Sequence, residues 1–220
     1  MKIFKSKSVL IVVFLVIGNL CFAQVSVGNN GSFSNKWFEG KLILKNRDTL
    51  VGVVKFESGT KDMFGMKGIG GNRKVFFKEN RDDKKKIKYK RDKVESFVVT
   101  NNSGELVKFT YVKTSKNGAL LVQVLTEGKV SLYLKKTLDQ TMYDAHQTNM
   151  VFYNEKNLYY VKKQNEDYVS NEFFDNAFKS FSKTASNYFS DCESLVQKID
   201  DKVYRSDDLF EIIQVYNACH

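Results

Sequence analysis

Side chains able to carry chemistry are few and scattered in this chain. Histidine occurs only as His146 and His220, and hydrolytic triads and many zinc sites need a histidine held by a second polar group. His146 sits in the polar stretch 144–149, which reads as a loop, and His220 ends the chain, a poorly anchored position. The glycines Gly65, Gly68, Gly70 and Gly71 suggest a phosphate-cradling loop. No Lys-Ser or Lys-Thr pair closes the cluster, however, and residues 74–78 after it alternate like a strand. A connection between strands is the better account. Carboxylates such as Glu39, Glu57, Asp144 and Glu172 are scattered, and sequence alone places no pair at glycosidase separation. No catalytic residue, metal ligand or cofactor is expected.

Two other groups stand out. The first is basic: residues 81–93 carry Lys84, Lys85, Lys86, Lys88, Lys90, Arg91 and Lys93, with Ile87 and Tyr89 interleaved. On a strand, Ile87 and Tyr89 would share one face and Lys86, Lys88 and Lys90 the other. Lysines on an edge strand discourage pairing with another molecule, which needs no ligand and is the simpler account. The sharper account is a stripe of Lys84, Lys86, Lys88 and Lys90 that contacts an anionic polymer or lipid.

The second group is the cysteines. Residues 1–23 run from Lys2, Lys5 and Lys7 through an apolar stretch at 9–20 to Cys21 and Ala23, the order of a secretory signal peptide cleaved after Ala23. A dozen or so apolar residues fall short of the roughly 20 that span a bilayer, so no transmembrane span is expected after cleavage. A lipid-anchored Cys21 fits poorly, with the bulky Leu20 before it. Cleavage removes three lysines, taking the formal charge from +10 to +7, and leaves Cys192 and Cys219 in an oxidising compartment. A disulfide is expected between them. The alternative is a reactive thiol at Cys192, its pKa lowered by a helix amino terminus.

The elements that must position these residues follow from periodicity. Residues 24–36 read as a polar leader. Strand candidates are 41–45, 50–56, 74–78, 86–90, 96–100, 105–113, 119–125, 130–136, 150–153 and 158–162, separated by turn-forming stretches that include 46–48 and 154–157. Their spacing predicts a mostly antiparallel meander over 37–164, closing toward a barrel or sandwich. Beyond residue 165 the period lengthens. Phe174, Phe178, Phe181, Ala185 and Tyr188 mark one helical stripe. Ser190 and Glu193 form a capping-box signature for a second helix, and Ser206 with Asp207 and Asp208 starts a third. Cys192 would open the second helix and Cys219 close the third, so an antiparallel pair of helices would bring the sulfurs together. The class is α+β: a sheet with a C-terminal three-helix segment over 165–220.

The segments GKLILKNRDTLVGVVKF (40–56), EGKVSLY (127–133), DCESLVQKI (191–199) and YNAC (216–219) resemble the uncharacterised secreted proteins found widely in Bacteroidetes. The resemblance implies a β-rich exported domain followed by helices, and carries no functional residue across. Where such proteins commonly have glycine in the first turn, this chain has Arg47. The leading expectation is a secreted or envelope-associated, non-enzymatic binding protein, periplasmic, outer-membrane-associated or extracellular. Its partner would be an unknown envelope protein or an anionic surface, with nucleic acid not expected. The alternative is an extracytoplasmic, hydrolase-like enzyme whose acidic residues converge only in the fold.

Overall fold

The structure, a computed structural model, describes residues 36–56, 74–145, 148–170 and 180–219. The proposed signal peptide, most of the leader, the Gly65–Gly71 cluster, Phe174, Phe178, His146 and His220 lie outside the described residues. Nine antiparallel strands form one sheet: β1 (Trp37–Leu44), β2 (Thr49–Lys55), β3 (Lys74–Lys78), β4 (Ile87–Lys90), β5 (Val94–Thr100), β6 (Leu106–Lys113), β7 (Ala119–Thr126), β8 (Val130–Ala145) and β9 (Thr148–Lys163). Among the described residues three helices follow, α1 (Phe181–Tyr188), α2 (Glu193–Asp200) and α3 (Leu209–Ala218), the last entered through a 3-10 turn at Ser206–Asp208.

The strand order is β4-β3-β2-β1-β5-β6-β7-β8-β9. This departs from a simple meander, because the chain leaves the edge strand β4 and re-enters beside β1. The sheet is also open, its order ending in β4 and β9, so the expected closure into a barrel or sandwich is incomplete. The register nevertheless demands strong coiling. Lys90 pairs with Lys74, past the end of β2 that lies beside Trp37, whereas Val94 pairs with Leu44 at the other end of β1. In a flat sheet those corners would stand roughly 30 Å apart, four strand spacings across and one strand length along. The three residues between Lys90 and Val94 reach at most about 14 Å. The sheet must therefore fold over its own inner face.

Gly40 and Gly52 make the bend possible. They are cross-strand partners, and a Cβ would stand 2.1 Å from the Val98 carbonyl oxygen at Gly40 and 2.2 Å from that of Lys78 at Gly52. Only glycine lets neighbouring backbone come so near, which is its usual role at a corner of a coiled sheet. Inside the coil, Phe56 meets Phe97 and Phe109 at centroid distances of 4.6 and 4.7 Å, among Phe38, Leu42, Val54, Val75, Phe77 and Val99.

At β7 to β9 the same face is covered by helices. Val130, Leu132, Leu134 and Val161 pack against Ala185, Phe189, Leu195, Ile199, Ile212 and Ile213. Each helix is too short to persist alone in water, so this contact is what keeps it folded. One cross-link ties the cover together and two more clasp it to the sheet. Cys192 and Cys219 form a disulfide with Cα atoms 6.1 Å apart, as their expected helix positions require. The Asn217 side chain accepts from the Val130 N–H at 2.8 Å and donates to its carbonyl at 2.9 Å, imitating a neighbouring strand. Lys129 donates to the Cys219 carbonyl oxygen. The segments EGKVSLY, DCESLVQKI and YNAC thus converge on one place.

Three local expectations are corrected. Residues 154–157, read as a turn, lie within β9 because β8 continues to Ala145 and supplies a register partner for each of them. Likewise Asp144, Ala145, Thr148 and Asn149 of the expected loop are paired strand residues. The Ser190–Glu193 capping box does not form: Cys192 occupies the cap position of α2, without a side-chain cap bond.

Candidate anion-binding face

Alternation along β2, β3 and β4 turns Val54, Val75 and Phe77 into the core. The residues between them, Lys55, Lys74, Phe76, Lys78, Lys88 and Lys90, therefore stand on the outer face. Register arranges them in rows across the strands. Lys88 pairs with Phe76, Phe76 with Lys55, and Lys55 with Trp37, so cation and ring alternate over four strands. Lys90 pairs with Lys74 in the adjacent row. The ammonium groups lie over the rings, Lys78 at 4.9 Å and Lys55 at 5.9 Å from Trp37, and Lys86 at 5.1 Å from Phe76. Such contacts hold an exposed lysine by about 0.5–1 kcal/mol.

No Asp or Glu occurs in β2, β3 or β4. The consequence appears at Lys88, whose pKa is lowered by its contact with Lys74 and that residue's charge, with smaller effects from desolvation and from Lys90. Like charges held this close favour an arriving anion, which relieves their repulsion.

Of the lysines singled out by sequence, Lys86, Lys88 and Lys90 join this face, while Lys84 is exposed in the link before β4. Sequence reasoning missed Lys55, Lys74, Lys78, Trp37 and Phe76. Their signal was a lysine at the end of β2 and at both ends of β3, in matching phase, which only the register brings together.

Beside the rows, two adjoining hollows of about 500 and 660 Å³ follow the outer side of β1. Both are lined by Glu39, Arg81 and Thr100. The smaller adds Lys36, Trp37 and Asn102, and the larger Lys41, Val51 and Val98. Arg81 forms the wall: it donates to the Trp37 carbonyl at 3.3 Å and stands 3.9 Å from Glu39.

The acidic residues behave differently. Asp191 is a described carboxylate with a shifted pKa, and the shift is downward. A hydrogen bond from the Tyr216 hydroxyl at 2.5 Å is the largest cause and outweighs partial desolvation, with Lys163 at 3.0 Å adding to it. Lys163 is correspondingly raised: burial opposes its charge, but Asp191 and Tyr216 prevail. An ionised Asp191 is a strut between helix cover and β9, suited to holding charge rather than moving a proton near neutral pH. No cluster of three or more His, Cys, Asp or Glu side chains able to hold a metal occurs among the described residues. No helix among them is long and apolar enough to cross a membrane. Comparison with protein-family models, curated proteins and solved structures returns no match, and the functional reading rests on this geometry.

Proposed function

We propose that the chain is an exported, non-enzymatic binding module that docks on polyanionic material of the cell envelope through the outer face of β2, β3 and β4. One observation carries this reading. The lysines continue inward from the edge strand β4 to β3 and β2, where no edge needs guarding, and they alternate there with aromatic rings.

The edge position of β4 also supports the second reading, in which its lysines block pairing between copies. The two readings separate on the variant Lys86→Glu/Lys88→Glu/Lys90→Glu. Docking requires that this variant lose retention on a dextran sulfate matrix at physiological salt, and that the unaltered protein elute earlier as salt screens its charges. Unchanged retention, with increased light scattering from self-association, would leave only edge protection standing.

A further inference from the structure

We infer that the trough along β1 takes a single chain of acidic polysaccharide, with Trp37 as the platform for a sugar ring and Arg81 as the partner of its carboxylate. The inference rests on the docking reading above and deepens it. The lining of the smaller hollow disfavours a hydrocarbon occupant, because an acyl chain there would bury Lys36, Glu39, Arg81, Thr100 and Asn102 against groups that cannot hydrogen-bond to them, while Val51, Val53, Val98 and Leu106 in the larger hollow suit the C–H faces of sugar rings. A polyhydroxylated chain supplies both donors and acceptors to the same residues. A sugar ring that stacks on the half-buried indole meets Lys78 and Lys55 already over it, so an acid carried on that sugar finds its counter-charge at the platform. Lys36 and Lys41 lie to either side of Arg81, and these three cations outnumber the two carboxylates of the lining, Glu39 and Glu79. The Trp37 carbonyl, 3.3 Å from Arg81, keeps the guanidinium beside the platform, and the exposed Glu39 is placed to accept from sugar hydroxyls.

Trp37 is the only tryptophan in the chain, so its emission reports on this site alone. Full-length protein titrated with oligogalacturonate should show a saturable change in that emission, and neutral dextran oligosaccharides should produce none. Measured by calorimetry, Arg81→Ala should weaken binding about tenfold, the scale of one lost charge-assisted hydrogen bond, and Trp37→Phe about threefold, because the smaller ring still offers a stacking face. Arg81 is exposed and its removal leaves the core untouched, so that variant keeps the test valid if Trp37→Phe folds poorly. Should Lys88→Glu/Lys90→Glu abolish binding while Arg81→Ala and the emission are unaffected, docking on the basic face stands and the trough is not the site. Binding to phosphatidylglycerol vesicles but not to oligogalacturonate would overturn the polysaccharide in favour of a lipid surface. Binding to neither would end both readings.

Discussion

Strands β1 to β6 hide their inner face by coiling until Phe56, Phe97 and Phe109 meet, whereas β8 and β9 hide the same face beneath three helices. The first solution uses neighbouring strands and two glycines at the bend. The second depends on residues far apart in sequence, the 27-residue disulfide loop and the reach of Asn217 back to Val130. The coil leaves a broad outer surface for lysines and aromatic rings, while the helix-covered half places its ionic contacts in a clasp. The basic face and the clasp thus belong to different halves.

The sharpest blow to the coiled half is Phe97→Ala. Phe97 is fully buried on the central strand β5, and such truncations cost about 3–5 kcal/mol. Denaturant unfolding should show one transition at a much lower midpoint. A variant that melts β1 to β6 while the helices persist would show two separable units instead of one cooperative sheet. Removing the disulfide by Cys192→Ser/Cys219→Ser tests the other half, at about 3.5 kcal/mol for a loop of this length in the chain-entropy model. Amide exchange should quicken in α2 and α3 while β1 to β6 keep their protection. Uniform quickening would mean the clasp stabilises the whole molecule.

How far each half was legible in sequence follows from the range of its contacts. Strand alternation is local, so β2, β3 and β5 to β7 were readable nearly to their ends, β1 only over its second half, and the 3.6-residue stripe revealed α2 and α3. Residues 154–157 were misread because Asn154 and Asn157 favour turns in isolation, while sixteen register pairs between β8 and β9 hold the segment extended. The basic face was read only along β4. Lys55 and Lys88 are 33 positions apart, and nothing short of the strand order puts Phe76 between them. Asp191 and Tyr216 gave no signal either, since their contact depends on how helices return to the sheet.

Acid should expose the clasp before the coil. The folded pKa of Asp191 is depressed, so its contribution is full above the ordinary carboxylate range near 4 and is lost as pH falls through the lower folded value. Asp191→Asn should flatten this part of the stability profile, with an effect smaller than either substitution above because the side chain is largely exposed. A profile unchanged between pH 5 and 2 in the variant would assign acid sensitivity to other carboxylates.

The finest test uses one residue from each half. Arg47, in the β1–β2 turn, and Lys202, after α2, adopt φ of 72° and 60°. That region suits glycine and strains residues with a Cβ. At Lys202 the following Val203 N–H reaches the Lys198 carbonyl at 2.9 Å and Lys202 its Ile199 partner at 3.1 Å, the helix ending in which glycine is commonest. Arg47→Gly and Lys202→Gly relieve strain but add freedom to the unfolded chain, so each should gain only about 0.5 kcal/mol. Because one position serves the coil and the other the clasp, thermal unfolding of the double variant should show the two gains adding to within about 0.3–0.5 kcal/mol, as they do for sites that share no partner. A larger departure would show that the β1–β2 turn and the end of α2 are coupled through the sheet, and that the two ways of covering its inner face are not energetically separate.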